Sequence, residues 1–416
     1  MTPRERVIRA LNHEETDRVP VDIGGTLDTC IHVIPLDRLR KVLGLEKRLV
    51  KVIDPMMMVG LIEEDLLAML GGDIVGLFSP YNIFGTINDN WKSWVLPDGT
   101  EVLIAGGFNY KYGPNGEIYA YPKGNLSVPP SAKMSSNGLY FDSITRQEDL
   151  KNHKFNAKED YADQISIFSN AECSYYERTS KKLYDESNYA IIGNFFFGGL
   201  GDLGIIPGQW IEHPKGIRDL QEWIMSYYLH PEYIKEFFEI QTEIALKNLK
   251  LYQQAVDNRI VAIAISGTDF GTQNGPFISL DCYREFYKPY HKKLNNWVHK
   301  NTNWKVFFHT CGSIIDFIED FIEIGVDILS PVQYSAFGMD LELLKRKYGN
   351  KVVFWGAGID TQKTLPFGTP YEIEKETKKN IRILRKGGGF ICSAVHNIQA
   401  FTPIENIISF FKSINN

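Results

Sequence analysis

Lys305-Val-Phe-Phe-His309-Thr-Cys311-Gly312-Ser313 reads as a buried strand that ends on an imidazole and a thiol. Residues two apart on a strand point the same way, so His309 and Cys311 are expected to emerge together at its C-terminal end. Imidazole plus thiolate is half of a zinc site. The residues that follow predict a strand-to-helix junction. Ser313 is placed to cap, Asp316 stands at the capping-box position, and Ile314, Phe317, Ile318, Phe321 and Ile322 form one apolar face. Gly325 is expected to close that helix.

Similar short apolar runs recur along the chain between longer helical segments. They are Val19–Ile23, Asp73–Phe78, Ala190–Phe195, Ile260–Ser266, Lys305–His309, Asp327–Val332, Val352–Ala357 and Gly389–Val395. Runs of this kind separated by helices argue for parallel strands buried on both faces. Their number predicts an α/β fold of the (β/α)8 barrel type, with a doubly wound open sheet as the alternative. Gly24-Gly25 alone is too weak to indicate a dinucleotide or phosphate loop.

Among the helices, Thr2, Pro3 and Glu5 spell an N-cap, first-turn proline and capping box for an opening helix. Pro231 opens another, with Tyr233, Phe237, Ile240, Ile244 and Leu251 on one face. Thr369-Pro370 starts a third, expected to end at Gly387.

The 416 residues exceed what a typical barrel of about 250 needs. The excess lies at about residues 80–143, where Tyr, Gly, Pro and Asn accumulate and Asp98-Gly99 and Asn115-Gly116 signal hairpins. This predicts a β-rich insertion after the second strand within a single domain spanning 1–416. It is placed to cover a substrate or to form a homo-oligomer contact.

A formal charge of -6 without a basic run argues against nucleic acid as a partner. No apolar run reaches the roughly 20 residues a bilayer demands, and the charged, amphipathic N-terminus is unlike a signal peptide. A cytoplasmic protein is expected. The five cysteines are scattered and odd in number, which favours reduced thiols over a disulfide framework.

Three further groups carry possible chemistry. Cys392, on the last run, would share a rim with His309 and Cys311 in a closed barrel and complete a three-ligand zinc site with an open position; its bland reading is a small core residue. His396 is a ligand, a general acid–base group, a partner to a ligand, or an ordinary loop histidine. Asp269 and Gln273 follow the run Ile260–Ser266, where they would orient a polar substrate or merely cap a loop. The 21 Tyr, 25 Phe and 7 Trp would line a pocket for a flat ligand or fill the core.

With these residues in view, the chain resembles the uroporphyrinogen decarboxylase-like superfamily over nearly its full length. The resemblance rests on Thr2-Pro-Arg-Glu-Arg-Val, Asp17-Arg-Val-Pro20-Val, His309-Thr-Cys311-Gly312-Ser313 and Val395-His-Asn-Ile-Gln399 with Pro403-Ile-Glu-Asn406. It implies a (β/α)8 barrel. The decarboxylase branch holds its substrate's carboxylates with an early arginine and uses an aspartate after an Ile-Phe-Ser stretch. Here Ile23-Gly24-Gly25-Thr26 has no arginine, and Leu77-Phe78-Ser79 is followed by Pro80. Without a cationic clamp many carboxylates would be poorly neutralised. His396 does fit the decarboxylase's late histidine.

The other branch is similar to cobamide-dependent methyltransferases, which exchange methyl groups between a corrinoid protein and a thiol such as coenzyme M, or take them from methylated substrates. The resemblance implies zinc held by His309, Cys311 and a later cysteine, for which Cys392 stands. It also implies a corrinoid brought by a partner protein, and a small thiol or methylated (for example methoxy) substrate. His396, Asp269 and Gln273 would then serve catalysis. The rival expectations are a decarboxylase acting through His396 and a non-catalytic barrel that binds a tetrapyrrole or metabolite.

Overall fold

Short runs rich in Ile, Val and Phe form the strands, because β-branched and aromatic side chains fit a pleated surface covered on both faces. In the computed structural model, which describes residues 1–415, seven of them build one parallel sheet. In chain order these are β1 (Ile74–Leu77), β2 (Ala190–Asn194), β3 (Ala262–Ser266), β4 (Lys305–His309), β5 (Ile328–Ser330), β6 (Val353–Ile359) and β7 (Phe390–Ala394). Each pairs with its sequence neighbour, and the intervening helices carry the chain back. The helices opened by Thr2-Pro3, by Pro231 and by Thr369-Pro370 span Pro3–Leu11, Pro231–Val256 and Pro370–Leu384.

The eighth apolar run does not become a strand. Pro20 has no N–H, and the Val21 N–H donates to the Asp73 carboxylate at 2.8 Å instead of to a neighbouring strand. What remains is a single parallel bridge between Val21 and Cys392. The segment still touches both edges of the sheet. Cys392 N–H donates to Pro20 O at 2.8 Å, and Asp73 N–H donates to Val21 O at 2.8 Å. Asp73 is also the anchor of the N-terminal motif, since Arg6 and Arg18 reach its two oxygens at 2.5 and 2.7 Å. Those arginines staple the N-terminal segment to the edge of the sheet, and neither lines the cavity described below.

Side chains on the concave side of the curled sheet form a compact core of Ile74, Ile192, Phe307, Trp355 and Ile391 with their neighbours. The opposite faces of the strands belong to the larger core shared with the helices. This parity matters at the strand ends. Residues of the same parity as Phe307 and Ile391 point inward, and those between them point to the helices.

The β structure expected near 80–143 is present, but it starts earlier in the chain. One antiparallel-dominated sheet joins Ile31–His32, Val50–Asp54 and Val59–Gly60 to Lys92–Val95 and Glu101–Ile104. A second unites four strands from Tyr110 to Ser143. Both expected hairpins form, with Gly99 and Gly116 at φ +84° and +83°. The junction after β4 departs from expectation. The Ser313 hydroxyl donates to Phe337 O at 2.7 Å and caps nothing, so the helix begins only at Ile318, although Gly325 ends it in the left-handed region. No helix among the described residues is long and apolar enough to cross a membrane.

Candidate metal centre

β4 ends on His309, and the turn after it is pinned from both sides. Thr310 N–H donates to Ser330 O at 2.8 Å, and its hydroxyl accepts from Phe270 N–H at 3.0 Å. At Gly312 the chain takes φ +82° and lies directly against Gly271 of the loop after β3. A Cβ on Gly312 would sit 2.3 Å from the Gly271 carbonyl carbon. Only glycine permits that approach. The result is a rigid mount for Cys311, whose Sγ lies 3.4 Å from His309 Nε2.

His396 joins this pair from the far side of the curl, two residues beyond the end of β7. Donor atoms of His309, Cys311 and His396 all fall within 4.8 Å of one another. Imidazole and thiolate are the two ligand types that zinc takes in mixed sites. The tautomer of His396 follows from its neighbours. Asn397 Oδ1 accepts from Gln399 Nε2 at 2.9 Å and lies 2.5 Å from His396 Nδ1, so Nδ1 carries the hydrogen. Nε2 is left with a lone pair facing the cluster.

Asp28 stands between the two imidazoles. Its Oδ2 is 3.2 Å from His309 Nδ1 and its Oδ1 is 3.3 Å from His396 Nε2. Although His309 Nδ1 is that close, it is buried and outside hydrogen-bond geometry. A lone pair facing a carboxylate, a buried ring nitrogen without a partner, and a thiol beside them together call for a cation. The residues present therefore fit a bound divalent metal.

Asp269 supports the cysteine through the backbone, accepting the Cys311 N–H at 2.6 Å, and its Oδ1 lies 3.7 Å from His309 Nε2. Burial first, and then the charges of Asp269 and Asp28, push the Cys311 thiol well above its ordinary range. Asp202, on the long loop after β2, is pushed up to about 7 by burial and by the charge of Asp269. Asp28, Asp202 and Asp269 thus gather as acidic groups around His309.

Cys392 is not part of the cluster. It lies in the middle of β7, fully buried, and has the parity that faces the helices. A Cβ on Gly358 would meet its Sγ at 2.7 Å and Phe410 of the C-terminal helix at 2.9 Å, which places the thiol in that outer layer. Burial raises it far above a reactive thiol's range. The structure thus brings together His309, Cys311, His396 and Asp269, and leaves Cys392 in the core. Gln273 is exposed, on the rim of the adjoining cavity, and its backbone O accepts from Phe337 N–H at 2.9 Å.

That cavity, of about 780 Å³, opens beside Cys311 and His396 and is walled by Tyr140, Gln333, Phe367 and Phe401. Sequence reasoning missed Asp28, Gln333 and Tyr140. Asp28 had a usable signal, because it follows the first apolar run just as Asp269 follows Ile260–Ser266. The other two had none, since nothing local ties Tyr140 to Gln399, whose Oε1 accepts its hydroxyl at 2.7 Å.

The family model for uroporphyrinogen decarboxylase (URO-D) matches residues 213–416. No curated protein matches the chain. Among solved structures, a methyltransferase from Methanosarcina mazei aligns over 100% of this chain and 98% of its own, at 16% identity and a TM-score of 0.54. A B12-independent methionine synthase from Shewanella sp. W3-18-1, solved with selenomethionine, aligns over 58% of this chain and 64% of its own, at 12% identity and a TM-score of 0.35. The first of these is a likeness of fold. His309, Cys311, His396 and Asp269 all fall in the stretch that matches the uroporphyrinogen decarboxylase family model.

Proposed function

We propose that the chain is a zinc-dependent methyltransferase that moves a methyl group between a corrinoid on a partner protein and a small thiol or methylated substrate. The observation that carries this reading is the convergence of His309, Cys311 and His396 within 4.8 Å at the mouth of a cavity. The fold likeness to a solved methyltransferase supports it. A decarboxylase for a polycarboxylate is disfavoured because neither lysine nor arginine lines that cavity.

Three side chains would hold the metal, His309, Cys311 and His396, with the Asp28 carboxylate beside both rings adding negative charge that favours a cation. Zinc, when bound, lowers the pKa of a thiol or polarises an ether oxygen. Asp269 keeps the Cys311 backbone in place and, with Gln273, orients the methyl donor or acceptor. The partner's corrinoid would approach the same cavity mouth. We also read Pro20–Asp22 as the stave that closes the sheet into a (β/α)8 barrel, supported by its hydrogen bonds to both edges, with residues 80–143 as an insertion.

Zinc analysis of protein purified without chelator tests the reading, together with the His309→Ala, Cys311→Ser and His396→Ala variants. About one zinc per wild-type chain, lost in each variant along with demethylation of a methylated corrinoid protein, is expected. Wild-type protein free of zinc, or variants with undiminished zinc, would overturn it.

A further inference from the structure

The cavity beside the cluster is lined without lysine, arginine or carboxylate, and an acidic floor of Asp28, Asp202 and Asp269 lies one layer behind Cys311 and His396, around His309. An anionic ligand body would find repulsion there and no counter-charge. The mouth carries Phe367 and Phe401, 84% and 83% exposed, so an apolar, flat body has surface to cover. A volume of about 780 Å³ suits a small molecule.

One polar wall residue is left half-used. Gln333 is 5% exposed, and its Oε1 accepts the Gly312 N–H at 2.8 Å. A backbone N–H can only donate, so the orientation of this amide is fixed and Nε2 faces the cavity with two hydrogens. No protein acceptor meets that Nε2 among the described residues. Gln399 on the same wall is different. Its Nε2 donates to Asn397 O and Oδ1, and its Oε1 takes the Tyr140 hydroxyl. The Gln333 Nε2 is open to the cavity and not sealed in the core, so a ligand or water supplies its acceptor.

We propose that Gln333 is a specificity residue whose Nε2–H donates to an ether or carbonyl oxygen of an uncharged ligand with a flat apolar body. The inference rests on the reading of this cavity as the methyl-transfer site, and names its substrate class. A quaternary ammonium would suit the aromatic mouth and the acidic floor, but it has no acceptor and would leave Gln333 unpaired.

Four probes that share one ring separate these cases: methoxybenzene, ethylbenzene, 4-methoxybenzoate and phenyltrimethylammonium, each titrated against the full chain with zinc content measured on the same sample. Methoxybenzene is expected to bind about tenfold more tightly than the other three, although ethylbenzene is the more hydrophobic. Gln333→Leu should erase the difference between methoxybenzene and ethylbenzene while keeping affinity for ethylbenzene. Equal binding of those two by the wild type overturns the inference without recourse to any variant. So does tighter binding of either charged probe, or no binding at all. Zinc-free protein that still prefers the ether would defeat the metal reading and leave this one standing. Zinc-loaded protein without the preference would do the reverse.

Discussion

His396 stands edge-on to His309, with ring centroids 5.8 Å apart and planes at 75°, although β5 and β6 separate the strands that carry them. The curl of the sheet closes that gap across its concave side, and the Asp28 carboxylate fills the space between the rings. The arrangement puts His396, with His309 and Cys311, in the one group of donors close enough together to hold a metal among the described residues. Zinc affinity measured by chelator competition should fall by more than about 100-fold in His396→Ala, exceeding what loss of a ligand's supporting group costs. Cys392→Ala should keep wild-type zinc affinity and lose stability instead, because its thiol packs in the outer core.

Asp28→Asn isolates the supporting carboxylate. The amide is nearly isosteric but removes the charge between the two rings, at 3.2 and 3.3 Å. A drop of about 10–100-fold in zinc affinity is expected, with unchanged thermal unfolding of the zinc-free protein. An affinity equal to the wild type would remove Asp28 from the site.

Contact between the loops after β3 and β4 depends on backbone without side chains. Gly312→Ala would force a Cβ to 2.3 Å from Gly271 at φ +82°, whereas a Cβ on Gly275 in the same loop system meets nothing within 4 Å. The first substitution should cost about 1–3 kcal/mol of stability and weaken zinc binding, and Gly275→Ala should do neither. Urea unfolding and zinc titration of the two variants make the comparison.

Two buried histidines set an acid limit on stability. Burial lowers His32 and His291 to about 4 from an ordinary 6.5. His32 Nδ1 accepts the Ile34 N–H at 3.2 Å and its Nε2 donates to Leu139 O at 3.0 Å, so the neutral ring is fully used. Between pH 6.5 and 4 the unfolded chain takes up protons that the folded chain refuses. Their contribution is therefore complete above 6.5 and falls as the pH drops towards 4, opposite in sign to that of Asp22, Asp54 and Asp202, which burial raises to about 6, 6 and 7. At pH 5 each histidine should cost about 2 kcal/mol. Urea unfolding should show His32→Gln less stable than the wild type at pH 7, with the difference between the two smaller by about 2 kcal/mol at pH 5. An unchanged difference would contradict the assignment.

Much of the fold was legible in the sequence. Seven of the eight apolar runs are strands of one parallel sheet, and the capping residues Thr2, Pro231 and Thr369 open the helices they announce. Local chemistry decides such features. The exceptions arose where a local group was claimed from a distance. Asp73 takes the Val21 N–H, and Phe337 takes the Ser313 hydroxyl, so one expected strand shrinks to a bridge and one expected cap is lost.

The candidate site divides in the same way. The spacing of His309 and Cys311 at a strand end determined that imidazole and thiol would meet, since side chains two apart on extended backbone point the same way. The third donor was a matter of tertiary structure. Both faces of β7 are buried, as in any strand between a concave core and a helix layer, so no inside–outside alternation in the sequence reveals which way Cys392 points. Packing against Gly358 and Phe410 turns it outward. The curl of the sheet then carries His396 over the end of β4, and a loop from the start of the chain brings Asp28 between the rings.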